Sequence, residues 1–188
     1  YNPLRTEYNS HMNRRPPFAP GNYYHLYNRG RSRLSIFHDE QDYLNVLARL
    51  RTYSQKFAIQ LIAYALLPNH YHFLVRQDGD VRAGVLPQRI FNGYAKYYNR
   101  RYNHSGTIFE GPYEAILIKD ESHLRHLCRY IHANPVKHGL ANALDEWAYT
   151  NYPEWMGLRQ GTLWDAAFVD AYFPDREAYR AFVLELLR

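Results

Sequence analysis

Cysteine is almost absent from this sequence: Cys128 is the only one among 188 residues. One thiol excludes an intramolecular disulfide framework and is too few for a zinc site built on cysteine. No apolar run is long enough to cross a bilayer, and no stretch has the three-part form of a signal peptide. Internal repeats and low-complexity tracts are also missing. These absences favour a soluble, intracellular protein, which we expect in the cytoplasm.

Tyrosine and positive charge are what the sequence has in excess. It contains 19 tyrosines, and 23 lysines and arginines against 18 acidic residues give a formal net charge of +5. Many tyrosines stand beside Arg, Lys or Asn, as in GYAKYYNRRYNHSG. Aromatic rings among cations suit unstacked bases on a phosphate backbone, whereas the alternative is that tyrosine only fills the core and its polar rim. The charge favours a polyanionic partner such as a nucleic acid.

The chain begins with Tyr1, and SHM at 10–12 looks like a cloning scar before a native start at Met12. We predict that residues 1–20 are this scar and a flexible basic arm, and that residues 21–140 form one domain. Residues 141–188 are expected to be a C-terminal extension packed on that domain.

Hydrophobic periodicity predicts an α+β fold. Asp39 and Asp120 are candidate helix N-caps, and Pro135 should end the third helix at Asn134, because a residue before proline avoids helical geometry. The order β-α-β-β-α-β, followed by a helix and a partly helical tail, predicts a ferredoxin-like antiparallel sheet with helices on one face. Predicted strands are at 22–30, 58–67, 70–77 and the end of 106–118; helices are at 38–57, 85–103, 120–134 and, more weakly, 175–187.

Two histidines stand in an apolar run, LLPNHYHFLV at 66–75. Side chains two apart on a strand project to the same face, so His70 and His72 point one way and Tyr71 the other. Two adjacent imidazoles can bind one divalent cation together with oxygen ligands. The alternative is that each imidazole is hydrogen-bonded separately at a sheet edge.

A second polar row lies on the predicted third helix. The apolar stripe of this helix, at spacings of three, four and seven, consists of Leu124, Leu127, Cys128 and Ile131. Beside the stripe run His123, His126, Tyr130 and Asn134. Tyr130 and Asn134 are neighbours on the helix surface, so an amide oxygen and a phenol could meet one cation. Alternatively, Asn134 only ends the helix and Tyr130 only packs.

The segment PNHYHFLV resembles the HUH motif, a bulky hydrophobic residue between two histidines, of single-tyrosine transposases that act on single-stranded DNA. CRYIHANPVKHGL, at 128–140, resembles the segment that carries their nucleophilic tyrosine. Its ending is similar to that of the REP-associated tyrosine transposases, a domesticated bacterial branch. The blocks YHLYNRG, FEGPYEAILI and DEWAYTNYPEWMG extend the resemblance over roughly residues 21–157.

This resemblance implies a ferredoxin-like nuclease fold for residues 21–140 and Mg²⁺ or Mn²⁺ as the cofactor. It makes His70 and His72 metal ligands, Tyr130 the nucleophile on a catalytic helix, and Asn134 the third protein ligand. Better-known transposon relatives have a glutamine, one methylene longer, at this last position. Some relatives have a glutamate next to the motif, where this sequence has Asn69.

Such a site would cut DNA by transesterification. A phenol has a pKa of about 10, so a cation that polarises the phosphate would provide much of the rate enhancement. Attack by Tyr130 would leave a 5′-phosphotyrosine link and a 3′-OH, and the retained bond energy would let the site rejoin strands. His126 and His132 are candidates for the general base, although a surface position without that role is the simpler interpretation of each.

Cations that could contact DNA are expected in three places. By resemblance, the substrate would be a short imperfect hairpin of the REP type with a recognition sequence at its foot. A monomer or a homodimer would bind it, and no membrane would be involved. For the three arginines that follow the first strand, the alternative is a solvated basic turn. The candidate residues are Arg14 and Arg15 on the arm, Arg29, Arg31 and Arg33 after the first strand, and Lys96, Arg100 and Arg101 on the second helix.

Two other functions agree with the same residues. Ferredoxin-like sheets with exposed aromatic side chains often bind RNA, so the chain could be a non-catalytic binder of single-stranded DNA or RNA. Alternatively, His70 and His72 could hold a metal that activates water, as in a hydrolase. The binder would not need Tyr130, and the hydrolase would form no protein–DNA adduct.

Overall fold

The computed structural model describes residues 15–188 of the chain. Arg14 and the rest of the predicted scar and arm up to that residue lie outside the described residues. Within residues 15–188, no helix combines the length and the apolar composition that crossing a bilayer requires. The strands are β1 (Tyr23–Arg29), β2 (Ile59–Leu67), β3 (His70–Gln77) and β4 (Glu114–Ile118). The helices are α1 (Glu40–Phe57), α2 (Val85–Arg101), α3 (Glu121–Lys137), α4 (Tyr152–Trp155), α5 (Ala166–Tyr172) and α6 (Arg176–Leu184), with 3₁₀ turns at Arg31–Arg33 and Glu185–Leu187.

The four strands form one antiparallel sheet in the order β2-β3-β1-β4. Helix α1 connects β1 to β2 and helix α2 connects β3 to β4, so each connection passes over one central strand, as in ferredoxin-like folds. The predicted ferredoxin-like α+β class is therefore confirmed. The central pair β1 and β3 places Tyr27 opposite His72 and Arg29 opposite His70.

The two helices of the ferredoxin-like unit, α1 and α2, lie on one face of the sheet as expected, and α3 with the C-terminal helices covers the other face. The first face packs against α1 and α2 through Tyr71, Phe73 and Val75 of β3. The second face packs against α3 and the C-terminal helices through residues such as Leu74 and Ile62. Apart from one residue, β2 is buried along its whole length. Because β2 is apolar on both sides, both faces of the sheet must be covered to keep it from water.

The predicted N-caps are confirmed, but α3 does not end where proline was expected to stop it. The Asp120 carboxylate accepts a hydrogen bond from the His123 backbone at 2.8 Å, as an N-cap does. Helix α3 continues through Pro135 to Lys137. Pro135 is buried, and its packing near the end of the helix outweighs the one backbone hydrogen bond that proline removes. Asn134 therefore stays on the helix, one turn after Tyr130.

The chain after α3 covers the edge of β2 that no other strand occupies. The Asn151 amide nitrogen donates to the Ile62 carbonyl at 2.8 Å, and its oxygen accepts from the Tyr64 backbone at 2.9 Å. The Thr150 hydroxyl donates to the Tyr64 carbonyl at 2.9 Å, and the Trp147 indole donates to the Leu66 carbonyl at 2.8 Å. Side chains thus satisfy backbone groups that an exposed edge strand would offer to another chain.

A buried histidine joins α3 to this edge and to α6. His132 is inaccessible to solvent, with Nε2 2.9 Å from the Asn151 oxygen and Nδ1 2.6 Å from the Tyr179 hydroxyl. Because the Asn151 oxygen can only accept, Nε2 carries the proton and Nδ1 accepts from Tyr179. Burial lowers the pKa of His132 to about 4, so it stays neutral. Both ring nitrogens are thus engaged in the interior, so His132 is neither the general base for Tyr130 nor a surface residue, the two interpretations that the sequence allowed.

The network predicts that Tyr179→Phe lowers the free energy of unfolding by about 1–2 kcal/mol, because it leaves the buried Nδ1 of His132 without a donor. Urea unfolding followed by circular dichroism measures the change. Tyr53→Phe is the matched control, since this hydroxyl forms no hydrogen bond with residues 15–188, and it should change stability by less than about 0.5 kcal/mol. Equal effects of the two substitutions would contradict the role of the network.

Candidate active site

His70 and His72 lie on the face of β3 that packs against α3. Tyr71 points into the opposite core, so the prediction that the two histidines share a face is confirmed. Their ring centroids are 5.2 Å apart and the rings are nearly perpendicular. His72 is 7 % exposed and His70 is half-buried. The pair thus forms the floor of a site that opens beside α3.

Helix α3 brings Tyr130 and Asn134 to the two histidines. The Tyr130 ring centroid is 5.6 Å from that of His72, at an interplanar angle of 81°. Asn134 is fully buried, and its amide nitrogen donates to the Tyr130 carbonyl at 2.8 Å. The Asn134 amide lies close enough to His70 and to Tyr130 to shift the pKa of each. The four residues singled out from the sequence therefore occupy one site.

The side-chain oxygen of Asn134 is the unusual atom of this site. Its Oδ1 is buried and meets no donor in hydrogen-bonding geometry among residues 15–188. Leaving a buried carbonyl oxygen unpaired costs about 1–3 kcal/mol, so native proteins rarely do so without a functional reason. The oxygen lies among two imidazoles and a phenol, where a cation could take the place of the missing donor.

Each of the two histidines is hydrogen-bonded through Nδ1, which leaves Nε2 for the site. The Nδ1–H of His70 donates a hydrogen bond to the Asn69 side-chain oxygen, 2.6 Å away. The Nδ1 of His72 is 2.9 Å from Nε2 of His25 on β1. Histidines that bind metals are commonly oriented in this way through their second nitrogen. Asn69 thus orients His70 from the position where some relatives have a glutamate.

Both imidazoles are neutral at physiological pH. Burial and, to a smaller extent, the positive charge of His138 lower the pKa of His70 to about 4. Burial likewise holds the pKa of His72 well below its usual value. A neutral imidazole has a free lone pair, which is the form that binds a metal ion.

The surroundings of Tyr130, the candidate nucleophile, disfavour its ionised form. Burial raises the pKa of Tyr130, and a hydrogen bond from Asn134 only partly opposes this effect. The Lys137 ammonium lies 5.4 Å from the centroid of the Tyr130 ring. His126, the other candidate base, accepts a hydrogen bond from Arg129 at Nδ1, so only its Nε2 could take a proton.

Three residues of the site were missed by the sequence analysis. His25 orients His72, the His138 ring lies 5.0 Å from that of His70, and Lys137 lies over Tyr130. Alternation along β1 puts His25 on the same side of the strand as Tyr27, which lies opposite His72. This alternation is the one sequence signal that could have identified His25. Within residues 15–188, no three His, Cys, Asp or Glu side chains are arranged to hold a metal. A cation here would therefore need the Asn134 amide as a ligand.

Among residues 15–188, Arg29 is the predicted DNA-binding cation that borders this site, because it lies opposite His70 in the sheet and its charge helps to lower the pKa of His70. The other predicted cations of these residues lie away from the site. Arg101 pairs with Asp39 at 2.6 Å and with the fully buried Asp42 at 2.9 Å, so a phosphate could bind it only by competing with two carboxylates. Arg29 pairs with Glu110. Helix α2, with Lys96 and Arg100 exposed, packs on the face of the sheet opposite to Tyr130, while Arg15, Arg31 and Arg33 are exposed elsewhere. Their contact with DNA stays a prediction.

Comparisons with known proteins identify the family of this chain. The profile of the family described as "Transposase IS200 like" matches residues 20–134. The chain belongs to the IS200-like transposase family. A Haemophilus influenzae protein named a REP-associated tyrosine transposase is 26 % identical over an alignment of 123 residues, and the alignment covers 59 % of this chain and 69 % of that protein.

A solved structure of a REP-associated tyrosine transposase, bound to a REP hairpin, superposes on this IS200-like transposase with a TM-score of 0.63. It covers 82 % of this chain and 94 % of the other at 17 % identity, so this likeness shows the fold. The resemblance to REP-associated tyrosine transposases that was identified in the sequence is confirmed. Family membership places the chain among enzymes of the HUH transposase kind.

The unpaired oxygen of Asn134 predicts that this IS200-like transposase gains stability when the amide is removed. Asn134→Leu should raise the free energy of unfolding by about 1 kcal/mol in EDTA, because a buried carbonyl without a donor is replaced by an apolar group. Asn151→Leu is the matched control: this amide is equally buried and fully hydrogen-bonded, so its loss should destabilise the protein. Urea midpoints of both variants test the contrast, and destabilisation by Asn134→Leu would refute it.

Proposed function

We propose that this transposase cleaves single-stranded DNA by attack of Tyr130 on a phosphodiester, with a divalent cation held by His70, His72 and Asn134. The observation that carries the proposal is the buried, unpaired oxygen of Asn134, which lies in one site with a phenol and two neutral imidazoles. Asn69 and His25 form hydrogen bonds with Nδ1 of His70 and Nδ1 of His72, respectively. Such outer contacts accompany metal-binding histidines.

The donor set fits Mg²⁺ or Mn²⁺. The amide oxygen is a ligand that these ions prefer, and the two imidazoles, which suit softer metals better, would still leave open positions on the ion for phosphate oxygens. Because His70, His72 and Asn134 are all neutral, the full charge of the ion is available to the phosphate. When bound, the ion would polarise the scissile phosphate and stabilise the negative charge of the transition state.

The chain's own residues hold the nucleophile in place. The hydrogen bond from Asn134 to the Tyr130 carbonyl ties the ligand to the backbone of the nucleophile, so the two keep a fixed relation. In the cleavage step the Tyr130 oxygen bonds to phosphorus, and the bond from phosphorus to the 3′ oxygen breaks. The phenolic proton is transferred, in net, to that 3′ oxygen. The products are a 5′-phosphotyrosine and a 3′-OH, and the reverse step rejoins the strand.

The DNA substrate that we propose is a hairpin of the REP type with a single-stranded foot. A related transposase of the same fold has been solved bound to a REP hairpin. The net charge of +5 favours a polyanion. A single-stranded segment next to the hairpin could reach Tyr130, which is half-buried beside the sheet.

A covalent adduct tests the reaction. Labelled hairpin DNA incubated with the wild-type protein and Mn²⁺ should give a protein-linked band on a denaturing gel. Tyr130→Phe should abolish the band, because no other group would supply the phenolic oxygen. His70→Ala should reduce it strongly, because the cation loses a ligand. Tyr97→Phe, on the opposite face of the sheet, is the matched control and should leave the band unchanged.

The same gel separates the proposal from its two alternatives. A nucleic-acid binder without catalytic activity would retain the DNA in native gels but give no cleaved strand with any metal. A hydrolase that uses water would give cleaved DNA without an adduct. An adduct that persists in Tyr130→Phe would show that another tyrosine is the nucleophile.

A second prediction concerns His25 and the affinity for metal. The hydrogen bond between Nε2 of His25 and Nδ1 of His72 contains one proton. Nε2 of His72 has a free lone pair for a cation only if Nδ1 of His72 carries that proton and His25 accepts the hydrogen bond. His25→Phe removes the acceptor and should weaken Mn²⁺ binding about 10-fold or more. His25→Gln keeps an oxygen near this position and should retain most of the affinity.

Electron paramagnetic resonance of free Mn²⁺ measures this binding without DNA. Thermal melting in EDTA checks that both variants are folded. Equal Mn²⁺ affinity in the Phe and Gln variants would refute the role of His25, whereas a wild-type protein that binds no Mn²⁺ would refute the metal site itself.

A further inference from the structure

A groove of about 550 Å³ lies on the α1–α2 side of the sheet, away from Tyr130. It runs between the first half of α2 and the loop before β4. Three aromatic rings from the core form its floor: the Phe91 ring centroid is 4.1 Å from that of Tyr71 and 5.1 Å from that of Phe109. The Phe91 and Phe109 rings meet edge to face, at 77°, and each of the three rings is less than a tenth exposed, so they close the groove with an apolar floor and leave no ring face open.

The walls of this groove carry amides. Gln88 and Asn92 are four residues apart on α2, are exposed, and form no hydrogen bond with any part of the chain that the structure describes. Asn28, at the end of β1, lies across the groove and donates to the Gly111 carbonyl at 3.0 Å. The two free amides therefore have donors and acceptors available for a ligand.

The rim of the groove is positively charged. The Arg15 guanidinium lies 4.1 Å from the centroid of the Tyr113 ring, and Tyr113 closes one end. Burial raises the pKa of Tyr113, and the nearby positive charges of Arg15 and Arg82 oppose this effect. Neither arginine forms an ion pair within residues 15–188. Tyr113 lies so close to Gly84 that a Cβ at that position would collide with its hydroxyl.

A second groove, along α3, has a different character. Asp120 and Glu121 line it, and its cations Arg125 and Arg129 are engaged with carboxylates, Glu121 in the first case and Glu185 in the second. Anionic DNA would meet like charges there. The groove beside α2, which no carboxylate of residues 15–188 lines, is the better surface for a nucleic acid.

The aromatic groove and the active site lie back to back. Tyr71, in the floor of the groove, stands between His70 and His72 on β3, whose rings project from the other face. Asn28 and Arg29 on β1 pair with Tyr71 and His70 respectively. Both sites thus meet at the end of β1, and a flexible strand could pass from one to the other around this end of the sheet.

We propose that this groove binds one unstacked base of the single-stranded DNA, holding it over the apolar floor and reading its edge with Gln88 and Asn92. Amides pair with base edges, and unpaired arginines suit the flanking phosphates. The inference rests on the proposed function, since it takes single-stranded DNA as the substrate. It adds a base-reading site that is separate from the catalytic residues.

A randomised pool tests the reading of a base. Hairpin DNA whose single-stranded flanks carry random nucleotides is bound to the protein in EDTA, where no cleavage occurs, and the bound fraction is sequenced. The wild-type protein should enrich one base by about 10-fold at one flank position or more. The double variant Gln88→Ala with Asn92→Ala should lose the preference at one position and keep any others.

Gln55→Ala, which removes an exposed amide from α1, is the matched control and should keep every preference. A double variant that retains all preferences, or a wild-type protein that has none, would overturn the base site. These outcomes are independent of the adduct assay, so loss of the base site and loss of the proposed chemistry are distinguishable. A protein that binds no DNA from the pool would overturn both.

Discussion

The packing of α3 on the sheet face that carries His70 and His72 is the constraint on which the candidate site depends. Leu127, Cys128 and Ile131 hold the helix against the strands, and His132 ties it to the covered edge of β2 and to α6. Protein interiors are close-packed, so the helix cannot slide or rotate freely over this face. The separation of Tyr130 from the two imidazoles is therefore set by apolar contacts and one buried hydrogen-bond network.

The candidate site itself lowers the stability of the folded protein. An amide oxygen is buried without a donor, and several imidazoles are kept neutral where water would otherwise allow them to ionise. Such conflicts with ordinary packing rules are typical of functional positions. His132 shows the contrast, because it is just as buried and has a partner at each nitrogen. Histidine thus serves structure on α3, whereas on β3 it lines the candidate site.

The elements of the fold could be predicted because their signals are local. Asp39 and Asp120 mark helix starts, and alternation along β3 places two histidines on one side of a strand. Neighbours that are distant in sequence could not be predicted in this way. The contact between His25 and His72 depends on strand pairing, and the partners of Arg101 depend on how α1 packs against α2. Pro135 misled the prediction because its local preference yields to burial.

The covered edge of β2 has a consequence for how the protein behaves when its tail is removed. Thr150 and Asn151 satisfy the backbone groups of a strand that is apolar on both faces. A chain cut after α3 would present that strand to solvent as an open template of high β propensity and almost no charge. Such segments nucleate amyloid-like assembly. The segment after α3 thus keeps the edge of β2 from pairing with other chains and forming fibres.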